Sequence, residues 1–219
     1  MAIWESKKVF SFINNLPFIG EVFSIANAYA FGGSYDSHSK FAPLTSWWRR
    51  IFKNVFYVLL FTWFLVGVAD TPIIEWEWEP SDTILGSFPS ILGFGIGIYA
   101  LMFIMPSDFL MFLKRVQERK QKQQEQEIEG QSNKKEAVVG PEIVPVDMGY
   151  PLMVFISVMI LAVINKVLPS SETLKFVSLW ALLYGLAMCI ELMTFLFLSS
   201  RTIQKLRTKS EPEPKKLDI

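Results

Sequence analysis

Apolar positions in this chain do not recur at the helix period of a surface helix or at the alternation of a half-buried strand. They gather into four blocks separated by charged stretches. Sixteen uncharged residues lie between Lys53 and Asp70, twenty-five between Asp82 and Asp108, and eighteen between Asp147 and Lys166. A fourth block, Phe176 to Ser200, runs for twenty-five residues with one charge, Glu191. Such blocks are the mark of membrane spans, and inside lipid each must be a helix so that its backbone polar groups are satisfied locally. The pattern therefore predicts an all-α membrane protein with four transmembrane helices, together with N-terminal and cytoplasmic amphipathic helices. Span one is the shortest, covering about 24 Å at 1.5 Å per residue. Lys53 would snorkel there, with Ile51 and Phe52 extending the apolar length.

The same pattern divides the chain into five stretches. Residues 1–50 form an N-terminal interfacial region, and residues 51–106 a transmembrane hairpin with an acidic outer loop. Residues 107–147 form a cytoplasmic helix and flexible linker, residues 148–200 a second hairpin, and residues 201–219 a disordered cytoplasmic tail. "VFSFINNLPFIGEVFSIANAYAF" reads as interfacial helices broken near Pro17, with Phe10, Ile13, Phe18, Val22 and Phe23 toward lipid. A re-entrant hairpin is the alternative. Its apolar residues are interrupted by Asn14, Asn15, Pro17, Glu21 and Asn27, which does not suit a signal peptide.

Charge sets the orientation. The formal net charge is zero, but the signs are sorted. Nineteen of the 21 Lys and Arg flank one side of the spans, and only Lys166 and Lys175 lie on the other. The positive-inside bias places both termini in the cytoplasm of a cell with an inner membrane, with Trp47 and Trp48 in the inner aromatic belt.

The stretch "SILGFGIGIYALMF" raises a phosphate loop or an ion filter as readings. It lacks the G-x-G-x-x-G spacing, a preceding strand and a Lys-Ser/Thr, and a charged segment follows it where a filter needs a spanning helix. The helical reading accounts for the glycines. Gly86, Ser90, Gly93, Gly97 and Ala100 are spaced 4, 3, 4 and 3, one stripe of small residues on one helix face. Small residues let helix backbones approach closely in lipid. The stripe serves packing within the chain, self-association, or a pore lining. Pro89 removes a helix hydrogen bond beside it and is expected to kink the helix.

Glu191 falls near the middle of span four, slightly toward the cytoplasm. A carboxylate there is costly, so it should face protein or water. Tyr184 and Thr194 share its face, and Asn165, Ser157, Ser90 and Thr62 are candidate partners in the other spans. No Lys or Arg sits at a matching depth in the block pattern, which argues against an ion pair. Glu191 then acts as a hydrogen-bonded clasp or stands beside an ion or proton path.

The outer loop "ADTPIIEWEWEPSDT" alternates Glu75, Trp76, Glu77, Trp78 and Glu79. In an extended chain the indoles would share one face and the carboxylates the other. The loop reads as an interfacial anchor or as a docking site for a cation or a basic partner. The lone Cys189 excludes an internal disulfide, and His38 is the only histidine. No nucleophile–base pair or metal-ligand set stands out, so the expectation is a non-enzymatic protein with no cofactor and no nucleic-acid partner. The leading function is an interaction protein that self-associates through span two and engages a cytoplasmic or extracytoplasmic protein. Immunity, phage-exclusion and defence proteins share this scale, a base rate that no residue carries. An oligomeric ion or proton channel, or a sensor, with Glu191 near the path is the alternative.

Overall fold

The computed structural model describes residues 9–102 and 143–210. The expected cytoplasmic helix and linker fall mostly outside these residues, as does the chain from 211 to 219. The described residues are helical apart from short connections. Residues 9–14 are helical and turn through Pro17 into α1 (Ile19–Phe31). Four long helices follow: α2 (Leu44–Val68), α3 (Pro80–Met102), α4 (Ile143–Val167) and α5 (Glu172–Ser210). Each is long and apolar enough to cross a membrane.

Three boundaries differ from the expectation. Helix α2 starts at Leu44, nine residues before Lys53, and includes a π-helical turn over Trp48–Phe52. That removes the shortness of span one. Helix α4 begins at Ile143, so Asp147 lies inside the helix and not at its edge. Helix α5 continues to Ser210, and residues 201–210 are helix where the composition predicts a disordered tail. At 39 residues it extends over about 58 Å, well beyond a roughly 30 Å hydrocarbon core.

The core is a three-helix unit of α3, α4 and α5. Ile84 and Phe88 of α3 meet Met148, Phe155, Val158 and Ala162 of α4 and Leu182, Met188 and Leu192 of α5, all buried. Two glycines allow this approach. A Cβ on Gly185 would overlap the Phe88 ring, and one on Gly95 would overlap a Leu152 methyl. Helix α2 rests chiefly on α5 and not on its sequence neighbour α3. It buries little beyond Ile51 and Thr62, leaving Phe56, Leu60, Phe61, Trp63 and Phe64 exposed.

The N-terminal region packs on the bundle. Phe10, Phe23 and Phe41 meet edge to face at 5.2 to 5.9 Å, and Phe23 stacks on Trp47. Phe10 and Phe23 therefore pack against protein, whereas Phe18 and Val22 are exposed. The aromatic edge contacts outweigh the simple amphipathic assignment because they seat α1 against the start of α2. Asn27, fully buried, holds the following loop. Its amide donates to the carbonyls of Ser37 and Lys40 at 2.9 Å, and its Oδ1 accepts from the Ala42 N–H at 2.8 Å.

Candidate functional site

Helix α1 ends at Gly32, whose left-handed φ of 69° closes the last turn. The Gly32 N–H bonds the Tyr29 carbonyl at 3.0 Å, and the Gly33 N–H bonds that of Ala28 at 3.0 Å. Arg50 comes to this C-terminus from the π turn of α2. It donates to the Tyr29 carbonyl at 2.8 Å and lies 5.3 Å from the centre of the Tyr29 ring. A cation there complements the negative end of the α1 dipole. The same guanidinium nitrogen is 3.3 Å from Asp147 of α4. Pro151 lies one turn beyond Asp147 within α4 and lacks the N–H that a helix would direct to the Asp147 carbonyl.

Glu191 of α5 completes the cluster. Its Oε1 accepts a hydrogen bond from the Tyr29 hydroxyl. Tyr29, Arg49, Arg50, Asn54, Asp147 and Glu191 line a cavity of about 270 Å³. Arg49 and Asn54 reach it with no polar partner among the described residues. The Tyr29 ring stacks on Tyr150 at 4.1 Å, and the Tyr150 hydroxyl bonds that of Tyr184 at 2.8 Å. Trp180 stacks on Tyr184 at 5.9 Å. An aromatic column thus descends from the cavity into the core.

Glu191 stands beside Arg50 and Asp147, which lie near the starts of their helices, so it belongs to a polar layer near one end of the bundle and not to its middle. The expectation that no basic residue shares its depth is incorrect, because α2 begins earlier than the charge-bounded block and carries Arg49 and Arg50 inside it. The expected partners are engaged elsewhere. Ser157 and Thr62 bond carbonyls of their own helices, Asn165 bonds Ser81, and Ser90 is exposed. Tyr184 is buried but bonds Tyr150 and not Glu191, and Thr194 is exposed and bonds the Ile190 carbonyl. The residues that reach Glu191 and its cavity, Tyr29, Arg50 and Asp147, stand outside the sequence-based candidates. For Arg50 and Asp147 the one signal is charge at block edges; Tyr29 carries none.

Burial, then the hydrogen bond to Glu191 and its negative charge, push the Tyr29 phenol above its ordinary value near 10. A folded-state value raised in this way leaves the stabilisation complete below about pH 10 and removes it as pH rises through the folded value. In an alkaline titration read by tyrosinate absorbance, Tyr29→Phe is expected to leave the first reversible phase near pH 10 undiminished. A loss of one tyrosine's amplitude from that phase would contradict the clasp. Arg50→Ala is expected to lower stability by about 2 kcal/mol. It strands Asp147 and uncaps α1, though both partners are a quarter to a third exposed, which limits the cost. Urea unfolding in mild detergent reads this directly.

The opposite end carries a second charged layer. Lys175, 2% exposed, donates to the Trp76 carbonyl at 2.7 Å and pairs with Glu79 at 3.0 Å. Lys166 pairs with Asp82 at 2.8 Å. Trp76 and Trp78 stack at 6.4 Å, and their indole N–H groups donate to the Thr71 carbonyl and the Thr83 hydroxyl. The loop is therefore a folded lid over Lys175 and not an extended strand with alternating faces. Glu79 is committed to the lid, while Glu75 and Glu77 remain exposed.

The small-residue stripe of α3 points outward. Gly86, Ser90, Gly93, Gly97 and Ala100 are exposed, and a Cβ on any of the three glycines would meet no atom of the described residues within 4 Å. Among the described residues the stripe packs against no other helix; the inward glycine of this helix is Gly95, against Leu152. No family model matches the chain, and comparison with curated proteins and with solved structures returns no match.

Proposed function

We propose that this chain is a multi-pass protein of an inner membrane that works by association and not by catalysis. It pairs with a second copy through the outward stripe of α3 and presents its cytoplasmic face or outer lid to a protein partner. The outward stripe is the observation that carries this reading. A row of small residues with open space before it lets another helix come close, and lipid alone gives no reason for such a row. Two features support membrane placement. Asp147 and Lys166 are nineteen positions apart, as are Glu172 and Glu191, each an offset of about 28 Å of helix and close to the hydrocarbon thickness. The exposed aromatic and aliphatic face of α2 suits hydrocarbon better than water. The Lys and Arg bias supports cytoplasmic termini. A role in immunity or phage exclusion would rest on what the partner is.

The mass of the solubilised protein tests the pairing. Wild type is expected as a defined oligomer, and Gly93→Leu/Gly97→Leu as a folded monomer. A monomeric wild type would overturn the reading. The alternative, an oligomeric ion or proton channel or a sensor, draws on the charged cavity at Glu191. It requires that Glu191→Gln change proton or ion flux in vesicles without changing the mass, whereas a pure clasp leaves flux unchanged.

A further inference from the structure

We infer that the cavity between α1, α2, α4 and α5 is a binding site for the phosphoethanolamine headgroup of a membrane lipid. The inference goes beyond self-association and does not depend on it. Arg49 and Asn54 line the cavity with no polar partner among the described residues, so two donors of the kind that hold a phosphate are unspent there. Glu191 and Asp147 line the same space. Two guanidinium groups and two carboxylates leave the lining balanced, which matches a zwitterion better than a net anion. A space of about 270 Å³ lies just under the usual range for small-molecule pockets, about 300–1,000 Å³, and suits a headgroup and not a nucleotide cofactor.

The cationic end of the ligand is set by what remains available. A quaternary ammonium is held by open aromatic faces. The Tyr29 ring offers none, because Tyr150 stacks on it at 4.1 Å and the Arg50 guanidinium lies over it. Carboxylate oxygens remain, and these accept hydrogen bonds that a primary ammonium donates and a trimethylammonium does not. A lipid and not a soluble amine phosphate is favoured by the surroundings. Arg49 shares a helix face with Lys53, Phe56, Leu60 and Trp63, all exposed, so an apolar track for acyl chains leads away from the phosphate position. The cavity also lies in the charged layer at one end of the bundle.

The test uses delipidated full-length protein and native mass spectrometry with phosphatidylethanolamine, phosphatidylcholine and phosphatidylglycerol of matched chains. Phosphatidylethanolamine is expected to bind about tenfold more tightly than phosphatidylcholine or phosphatidylglycerol. Arg49→Ala is expected to weaken all three together, and since Arg49 has no polar partner among the described residues the fold is kept. Glu191→Gln retains an acceptor for Tyr29 and is expected to erase the preference over phosphatidylcholine alone. Equal binding of phosphatidylethanolamine and phosphatidylcholine by wild type, or no change with Arg49→Ala, would overturn the site. Displacement of the lipid by an equal concentration of glycerophosphoethanolamine would overturn the lipid as its ligand.

Discussion

Gly185→Leu is expected to destroy the three-helix core, with a larger effect than any other single substitution proposed for this protein. Even a Cβ at this position overlaps one atom of the Phe88 ring and falls 2.6 Å from a second. That ring has nowhere to go. Phe88 is 1% exposed and its edge meets Phe155, itself fully buried, at 5.6 Å. Overpacking a dense interior ordinarily costs about 1–3 kcal/mol. Here the added branch also has to separate α5 from α3, so a loss of at least about 3 kcal/mol is expected, enough to unfold a marginal protein. Size-exclusion profile and thermal midpoint in mild detergent check it. Gly185→Ala is expected to show a smaller loss of the same origin, which Phe88→Leu/Gly185→Ala should largely recover, because the smaller side chain vacates the space the new methyl takes, and the two changes should couple in a double-mutant cycle. Gly93→Leu provides the contrast, since open space lies before it and the folded monomer should be unaffected.

Lys175→Met is expected to follow, at about 3 kcal/mol. The ammonium is almost wholly buried and meets the carbonyls of Ile74 and Trp76 and the Glu79 carboxylate. Deleting it strands three acceptors beneath the lid. The methionine fills the volume of the stem, so the loss is electrostatic and not a cavity. Glu79 is about a third exposed and can rehydrate if the lid lifts, which keeps the cost below that of a wholly buried pair. Lifting has its own signature: the stacked indoles of Trp76 and Trp78 separate and enter water, so their emission should shift to the red. Glu79→Gln keeps a carbonyl acceptor and should cost less. An unshifted emission with unchanged stability in Lys175→Met would show that the lid holds without its lysine.

The four long helices are legible in the sequence because each is an apolar run bounded by charges and long enough to cross hydrocarbon. Their ends are less legible. Arg49 and Arg50 look like the cytoplasmic edge of span one, yet α2 passes through them, and the π turn directs one to α1 and leaves the other at the cavity. The partner of Glu191 is hidden for a different reason. Tyr29 lies 162 positions away, in a helix whose apolar character resembles that of the spans. Nothing local in the sequence ties the two. The stripe of α3 shows the limit of periodicity. Spacings of 4, 3, 4 and 3 identify one face, but not what stands before it. Gly93 and Gly97 face outward, while Gly95, between them in sequence, meets Leu152 of α4. The outer loop misleads through its alternation, because Lys175 reorganises it into a lid with the indoles stacked.

Self-association through α3 is tested most directly by cross-linking in native membranes. The single cysteine is first removed by Cys189→Ser, and one cysteine is then introduced as Gly93→Cys or, as the control, Gly67→Cys. Neither glycine faces an atom of the described residues within 4 Å, but Gly67 lies on α2, away from the stripe. Oxidation is expected to yield a disulfide-linked dimer from Gly93→Cys and none from Gly67→Cys. Equal cross-linking at both positions, or none at Gly93→Cys, would contradict pairing through the stripe.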